Sequence, residues 1–286
     1  MVKNGYMKIK DHTLTKHTIL EKYLKACERF QNKYSNFCYI DTHGGSGLVN
    51  YKDEIRSGSP IIAAKIHPYP CHVIEIDPMR YSCLEESTKK YSHITVYHGD
   101  CNQKIDDILH QIPSWKFIFC FIDPDKLIYH GKSSSCLQLT YETVEKVAQH
   151  PKTEILLNFP LEALIRCGHL VKKHPEDART PKIIEGMDSF FGTPDWIKEK
   201  ADKKKYLNFY IKNRLESFYS HIGAICIRGK TRAPLYYLVY ASNHPVGGKI
   251  MRHIMKQEWG HEPIGNIDDE FPIERFIFEP YSTVKS

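Results

Sequence analysis

Short apolar runs alternate with longer, mostly polar segments over the first half of the chain. Strands that are buried on both faces are apolar along their whole length, and strand–helix alternation is typical of a parallel sheet covered by helices. Five such strands are predicted, at residues 37–40, 72–77, 94–97, 117–122 and 154–158. Two later runs, 224–227 and 235–240, flank a turn at 229–234 and predict an antiparallel hairpin.

Helical periodicity is clearest at residues 13–31, where apolar side chains recur on one face and Lys and Glu occupy the other. With the link to the first strand, the N-terminal helical segment is predicted to span 13–36. The pattern loosens at 165–220, where a basic stretch carries interleaved aromatic residues, Trp196, Tyr206, Phe209 and Tyr210. We predict an insertion over the sheet edge on the substrate side, with an ordinary helical cap as the alternative.

These elements predict one α/β domain over residues 1–286. Five parallel strands and a hairpin give the strand count of the mostly parallel, seven-stranded sheet of Rossmann-like class I methyltransferases. A dinucleotide dehydrogenase would instead continue with a second βαβαβ half. The 286 residues are 41% hydrophobic and 26% charged, which excludes a disordered, collagen-like or coiled-coil chain.

The spacing of Cys and His residues and the length of apolar runs bear on metal binding and on membrane insertion. The nine cysteines form no Cys-x-x-Cys pair and the sixteen histidines no metal-binding spacing, so no metal site is predicted. No run approaches the roughly 20 apolar residues of a membrane span, and the first residues lack a signal-peptide core, so a cytoplasmic protein is expected.

The net charge is +6, and residues 1–40 hold eight Lys and Arg against three Asp and Glu. Such a segment suits contact with phosphates, although solvated lysines on a helix face are the alternative.

The first predicted strand ends in a glycine-rich turn, Asp-Thr-His-Gly-Gly-Ser-Gly at 41–47. Glycine lets the backbone approach a nucleotide closely, and amides at a helix start face its polar groups. The second strand reaches Glu75, a carboxylate able to accept both ribose hydroxyls, after what is predicted to be an inserted loop at 48–60. Asp77 is the rival for this role, although capping of the next helix is its simpler explanation.

Two more predicted strands end in a carboxylate. Asp100 follows the third strand, where it is placed to accept the exocyclic amine of an adenine, with helix capping as the alternative. Asp123 follows the fourth strand and precedes Pro124, so an apolar strand would place it in a cleft as a hydrogen-bond acceptor or base. A strand-end turn residue is the simpler explanation of an Asp-Pro pair.

Several motifs together resemble the three-Cys-motif partner (TcmP) family. They are Lys16-His17, Tyr-Ile-Asp-Thr-His-Gly-Gly-Ser-Gly at 39–47, Gly58-Ser59-Pro60, Phe-Ile-Asp-Pro at 121–124 and Asn158-Phe159-Pro160. The same landmarks are similar to the ribosomal large-subunit RNA adenine-N6 methyltransferase family. Both resemblances run from about Lys16 to Ile254. They imply a class I methyltransferase that uses S-adenosylmethionine, with a partner protein as a further possibility.

The resemblance also implies roles for individual residues. Glu75 would hold the ribose, Asp100 the adenine end, and Asp123 the methyl-transfer centre. The implied cofactor-binding set is His17, Asp41, His43, Gly44, Gly45, Gly47, Ser59, Glu75, Asp100 and Cys101. The implied substrate-binding set is Lys16, Pro124, Lys126 and Asn158.

The chain departs from the adenine-N6 pattern after the fourth strand. Those enzymes carry Asp/Asn-Pro-Pro-Tyr/Phe, in which the aromatic ring stacks on the extruded base. This chain has Asp123-Pro124-Asp125-Lys126 instead, with Tyr129 three residues late. We therefore expect methyl transfer, with nucleic acid, an RNA or DNA base, as the leading substrate. A small-molecule or peptide substrate and a non-catalytic adapter are the alternatives.

Overall fold

The computed structural model describes residues 6–31, 36–66, 68–124, 126–130, 135–228 and 234–259. Within these ranges the helices are α1 (Asp11–Gln31), α2 (Ser59–Ile66), α3 (Pro78–Thr88), α4 (Cys101–Gln111), α5 (Tyr141–Gln149), α6 (Leu161–Lys173), α7 (Thr180–Phe191), α8 (Lys203–Tyr210) and α9 (Pro245–Trp259). A 3-10 turn at Pro194–Lys198 and a π turn at Ile211–Leu215 adjoin α7 and α8. No helix in the described ranges is both long and apolar enough to cross a membrane.

The strands of the same ranges are β1 (Met7–Lys8), β2 (Phe37–Asp41), β3 (Leu48–Tyr51), β4 (Glu54–Ser57), β5 (Cys71–Glu75), β6 (Ile94–His98), β7 (Phe117–Ile122), β8 (Ile128–His130), β9 (Ser135–Leu137), β10 (Thr153–Phe159), β11 (His221–Arg228) and β12 (Pro234–Ser242). Seven of them form one sheet in the order β11-β12-β10-β7-β2-β5-β6. All neighbours from β6 to β10 are parallel, whereas β12 runs antiparallel to β10 and β11. The predicted mostly parallel, seven-stranded sheet with a terminal antiparallel hairpin is confirmed. Residues 229–233 of the predicted turn lie outside the described ranges.

The side chains of β7 alternate between two cores, which is why this strand is apolar throughout. Ile118 and Ile122 belong to a core shared with α4 to α8, whereas Phe119 and Phe121 belong to a second core shared with α1 and α9. All four side chains are completely buried. Because successive residues of a strand point to opposite faces, a strand covered by helices on both faces has no position left for a polar residue.

The N-terminal helix differs from its predicted bounds of 13–36. It begins earlier, at Asp11, and its last residue is Gln31. The Asp11 carboxylate in the first turn interacts favourably with the helix dipole. Residues 32–35 lie outside the described ranges, and β2 already begins at Phe37.

The segment predicted as an inserted loop at 48–60 contains a β-hairpin instead. Strands β3 and β4 pair in antiparallel register, and β3 also pairs with β1 to form a small three-stranded sheet. Lys52 and Asp53 form the turn with φ of 49° and 67°, the left-handed pair of a two-residue hairpin loop. Asn50 Oδ1 accepts from the Asp53 amide at 3.0 Å and holds this turn without a glycine.

The segment 165–220 packs as a helical cover over one face of the sheet. Trp196, Tyr206 and Tyr210, which the sequence placed in an aromatic and basic stretch, are at most 1% exposed and belong to the core. Phe209 packs against that core as a partly buried side chain. The aromatic part of this segment therefore packs as a helical cap, since buried rings cannot stack on a substrate.

Candidate active site

One cavity of about 500 Å³ lies at the carboxyl ends of β2, β5, β6, β7 and β10. The strand order reverses between β2 and β7, and ligands of open α/β sheets bind outside the strand ends at such a switch point. The first turns of α1 and the start of β12 close the other sides of the cavity through Thr13, Lys16 and Tyr236. The site therefore combines strand ends that are distant in sequence with the N-terminal helix.

All but two of the predicted site residues line this cavity. They are Lys16, His17, His43, Gly44, Gly45, Ser59, Glu75, Asp100, Cys101, Asp123, Pro124, Lys126 and Asn158. The two exceptions are Asp41 and Gly47, for which direct contact with a cofactor was predicted.

The glycine turn after β2 packs directly against β5. The Gly44 amide donates to the Ile74 carbonyl at 2.8 Å, and a Cβ on Gly44 would lie 2.2 Å from Val73 Cγ1. Gly45 has φ of 62°, a left-handed conformation that favours glycine, and its amide donates to Glu75 Oε2 at 2.8 Å. The turn is thus fixed to the strand that carries Glu75.

Asp41 and Gly47 lie behind the cavity wall and support it. The completely buried Asp41 accepts from Tyr39 Oη at 3.0 Å and from the His43 amide at 3.2 Å. Burial raises the pKa of Asp41 to about 6, against the opposing effect of hydrogen bonds that include one from Ser59. The Gly47 carbonyl accepts from the Gly58 amide at 2.8 Å. This bond explains why the glycine turn and the Gly-Ser-Pro motif occur together, because each holds the other in place.

Glu75 and Asp77 have different roles. Asp77 is the N-cap of α3 and accepts from the amides of Met79 and Arg80, each at 3.0 Å. Glu75 is 4% exposed and lines the cavity, and its Oε1 accepts from the Asp77 amide at 2.8 Å. Burial raises the pKa of Glu75 to about 7, although the two backbone hydrogen bonds and the charge of Arg80 favour the carboxylate.

Asp100 is the N-cap of α4 and also lies on the cavity wall. It caps α4 by accepting from the Asn102 amide at 2.9 Å, and it also lines the cavity. Next to it, the buried Cys101 thiol donates to the Gln138 carbonyl at 3.2 Å. Helix capping therefore does not remove Asp100 from the cavity wall.

His12, His17 and His43 line the cavity, and the last two belong to the predicted cofactor-binding set. Burial, helped by the neighbouring charge of Lys16, lowers the pKa of His17 to about 3, so its ring is neutral at physiological pH. His43 Nε2 lies 3.1 Å from the Gln138 carbonyl and must carry a hydrogen, because a carbonyl only accepts. The Thr42 hydroxyl lies 2.7 Å from His43 Nδ1. Both rings are held in place by their surroundings.

Asp123 stands at the centre of a buried polar group. Lys16 Nζ lies 2.5 Å from each oxygen of the Asp123 carboxylate, and Asn158 Nδ2 donates to Oδ1 at 2.8 Å. Asn158 Nδ2 also donates to the Pro124 carbonyl at 3.1 Å. The side chains of Lys16 and Asp123 are 9% and 15% exposed. The ammonium lies 5.9 Å and 5.6 Å from the ring centroids of Phe121 and Tyr236.

The loop after Asp123 is described only in part. Asp125 and the side chain of Tyr129 lie outside the described residues. The Lys126 amide donates to Gln138 Oε1 at 2.8 Å, and the exposed Lys126 side chain lines the cavity. In the described part of the chain, no group of three or more His, Cys, Asp or Glu side chains is arranged to hold a metal ion.

The rim of the cavity is basic. Among the described residues, its exposed charged side chains are Lys8, Lys10, Lys126, Glu162 and Arg166. Four of the five are cationic, while Glu75, Asp100 and Asp123 lie deeper at the strand ends. Sequence reasoning did not identify Tyr236, Gln138 or Arg166, which reach the wall from elements far along the chain and carry no local motif.

Comparisons with known proteins concern the fold. No protein-family model and no curated protein matches the chain. The solved structure of protein LPL1258 from Legionella pneumophila str. Philadelphia 1 is 14% identical, covers 89% of this chain and 92% of its own, and has a TM-score of 0.50. M. jannaschii TYW2 in complex with AdoMet is 13% identical over 82% of this chain and 76% of its own, with a TM-score of 0.40.

A putative rRNA-methylase from Clostridium thermocellum is 11% identical over 82% of this chain and 98% of its own, with a TM-score of 0.43. At such identities a likeness concerns architecture alone. In chain order the central strands run 3-2-1-4-5-7-6 from β6 to β11, with the seventh antiparallel. This chain therefore has the Rossmann-like fold of class I methyltransferases, and the Legionella protein shares its architecture over most of both chains.

Proposed function

We propose that the protein is an S-adenosylmethionine-dependent methyltransferase that acts on nucleic acid. The observation that carries this proposal is the single cavity at the strand ends. It joins a glycine turn, Glu75 and Asp100 on one side to the Lys16–Asp123 pair on the other. We further propose a relationship to the TcmP family on the motifs that form this cavity.

The residues on the first side suit S-adenosylmethionine. Each Glu75 oxygen accepts one backbone hydrogen bond and keeps a free accepting position, so the carboxylate can hold two ribose hydroxyls. Asp100 lies at the end of the neighbouring strand, where it can accept from the adenine amine. The close packing of Gly44 on β5 leaves room for the ligand above the turn. When bound, the cofactor would supply the methyl group of its sulfonium, and a nucleophile would bond to the methyl carbon as the thioether leaves.

The other side suits an anionic substrate. The exposed cations of the rim, Lys8, Lys10, Lys126 and Arg166, surround the opening. Their field attracts phosphates and raises the rate of encounter with a polyanion. The aromatic stretch 196–210 gives no support to this proposal, because its rings lie in the core.

Calorimetric titration with S-adenosylmethionine tests the cofactor half. We expect binding by the unmodified protein and a Kd raised roughly 10- to 100-fold by Glu75→Ala, which removes two hydrogen bonds to a charged acceptor. Glu86→Ala on the exposed surface of α3 is the matched control and should bind normally. A protein that binds no S-adenosylmethionine at millimolar concentration contradicts the proposal.

Transfer of a tritiated methyl group into cell lysate tests the substrate half. We expect label in macromolecules that nucleases release. Label that persists after nuclease treatment identifies a peptide or small molecule as substrate instead. A protein that binds the cofactor but transfers no methyl group, and whose function in cells is unchanged by Asp123→Ala, is a non-catalytic adapter.

A further inference from the structure

The contacts of Lys16 and Asp123 indicate which atom receives the methyl group. Resting on the proposed function, we infer that the acceptor is a ribose hydroxyl of RNA, bound by Lys16 and deprotonated by Asp123. A hydroxyl and an exocyclic base amine make different demands on the groups around them. The surroundings of this pair meet the demands of the hydroxyl.

An exocyclic amine has two N–H groups and needs two acceptors beside it. Asn158 Nδ2 already bonds to both Asp123 Oδ1 and the Pro124 carbonyl, the latter in a fully buried contact. The remaining nearby acceptor, Asn158 Oδ1, has no hydrogen-bond partner among the described residues, but the atom is buried. A carboxylate accepts about four hydrogen bonds, and Lys16 and Asn158 supply three. One position is left, on Oδ2, and it matches the single proton of a hydroxyl.

The charge of Lys16 also favours an oxygen nucleophile. An amine nitrogen becomes positive as it bonds to the methyl carbon, and a neighbouring ammonium opposes that change. A hydroxyl that loses its proton becomes negative, and the same ammonium stabilises it. Lys16 Nζ has three N–H groups and uses two on Asp123, so one is left for the substrate oxygen.

Besides three histidines, the described part of the wall offers one aromatic ring on which an extruded base could stack. Among its described residues, Tyr236 is the sole Phe, Tyr or Trp. This ring is 8% exposed, faces the Lys16 ammonium, and its hydroxyl donates to the His12 carbonyl at 2.8 Å. Enzymes that extrude a base hold it by stacking, whereas a sugar hydroxyl needs no ring. A ribose hydroxyl also lies between phosphates, which fits the cations at Lys126 and Arg166.

The chemistry balances without a further reactant. The hydroxyl oxygen forms a bond to the methyl carbon as the bond between that carbon and the sulfonium breaks, and the electron pair of the broken bond stays on sulfur. The hydroxyl proton passes to Asp123 Oδ2 and from there to solvent. Lys16 keeps its proton throughout and supplies charge and orientation.

The position of the label in RNA tests the inference. Total bacterial RNA is incubated with the protein and tritiated S-adenosylmethionine and is then hydrolysed with alkali. A methylated ribose hydroxyl cannot attack the adjacent phosphodiester, so we expect the label in alkali-stable dinucleotides. Label in mononucleotides places the methyl group on a base and overturns the inference. Unlabelled RNA with a protein that binds S-adenosylmethionine also overturns it, while loss of cofactor binding overturns the proposed function itself.

A variant of Lys16 separates chemistry from folding. Lys16→Met keeps the length of the side chain and removes its charge, so we expect transfer to fall roughly 100-fold or more. Affinity for S-adenosylmethionine should stay within about 3-fold of the unmodified protein, well inside the effect of losing one hydrogen bond to a charged group. Lys25→Met makes the same change at an exposed position of α1 and should transfer normally. Unchanged transfer by Lys16→Met contradicts the inference.

A binding measurement gives an answer that does not depend on turnover. In the presence of S-adenosylhomocysteine, a mixed-sequence RNA 20-mer should bind roughly 10-fold more tightly than its 2′-deoxy counterpart, the effect of one charge-assisted hydrogen bond. Lys16→Met should reduce this preference, and Lys25→Met should not. Equal affinity for the two oligonucleotides contradicts the inference even if Lys16→Met folds poorly.

Discussion

Among single residues, Glu75 links cofactor binding to pH. Burial raises its pKa to about 7, and only the carboxylate offers a negative charge to the ribose hydroxyls. Its ionised fraction rises roughly tenfold between pH 6 and pH 8. We therefore expect the Kd for S-adenosylmethionine to fall by about that factor over this range, as measured by calorimetry.

The variant Glu75→Gln is the control for this pH dependence. It keeps the size of the side chain and cannot ionise, so its Kd should be nearly constant from pH 6 to pH 8. Asp41, whose pKa is raised to about 6, is the other buried carboxyl of this region. An equal change of Kd with pH in Glu75→Gln would show that Asp41 or another group causes the pH dependence.

Gly44 and Gly45 of the turn are restricted in different ways. A Cβ on Gly44 would lie 2.2 Å from Val73 Cγ1, whereas a Cβ on Gly45 would have no neighbour within 4 Å. The restriction at Gly45 is its left-handed φ of 62°. We expect Gly44→Ala to lower the free energy of unfolding by about 1–3 kcal/mol through overpacking. Gly45→Ala should lower the same free energy by about 1–2 kcal/mol through backbone strain.

Urea denaturation of both alanine variants measures their stability, and titration with S-adenosylmethionine measures their affinity for the cofactor. Gly44→Ala should weaken cofactor binding as well, because the turn moves away from β5 when Val73 is displaced. Full cofactor affinity in a folded Gly44→Ala protein would show that the turn is not fixed by this contact.

Single site residues were predictable where they follow a strand. A buried strand leaves a continuous apolar run, so Glu75, Asp100 and Asp123 stand out as the first carboxylates after it. Tyr236 and Gln138 were not predictable in this way. Tyr236 is one aromatic residue within an apolar strand, and tertiary folding alone brings it to Lys16.

At the level of elements, a buried hydrogen-bond group fixes α1 to the sheet. Tyr23 of α1 donates to the Glu154 carboxylate, and its hydroxyl lies 2.7 Å from Tyr240 Oη. Ser242 Oγ donates to the other Glu154 oxygen at 2.6 Å. These residues bind α1 to β10 and β12, and the same helix carries Lys16 and His17 into the cavity.

Removal of the Tyr23 hydroxyl tests this attachment. Tyr23→Phe leaves a buried carboxyl with one donor fewer, so we expect the free energy of unfolding to fall by about 1–3 kcal/mol. Tyr81→Phe removes a hydroxyl that donates to Glu85 at 2.7 Å on the surface, and it should cost less than about 0.5 kcal/mol. Equal effects of the two variants in urea denaturation would contradict the assigned role of Tyr23.

Elements were predictable where periodicity is distinctive. All seven central strands correspond to apolar runs. The hairpin of β3 and β4 escaped prediction because its turn, Lys52-Asp53, lacks the glycine that usually marks such a loop. The sequence left the position of the rings of 196–210 open, because aromatic residues among lysines give the same pattern in a core helix and on a binding surface.

For the whole molecule, strand order determines where the chemistry lies. The reversal between β2 and β7 opens the sheet at the strand ends, and the glycine turn and the carboxylates are there because each follows a strand. The basic rim is a property of the folded chain, since Lys8, Lys126 and Arg166 come together only in three dimensions. Sequence therefore predicted the fold and most of the residues that line the cavity, while the assembly of the basic rim required the structure.

A crystal structure with S-adenosylhomocysteine is the decisive experiment for the proposed cofactor site. We expect both ribose hydroxyls to lie within about 3.2 Å of the Glu75 carboxylate. We also expect the adenine beside Asp100 and the sulfur facing the Lys16–Asp123 pair. A ligand bound away from the carboxyl ends of β2, β5 and β6, or the absence of ligand density at saturating concentration, would show that the proposed site is wrong.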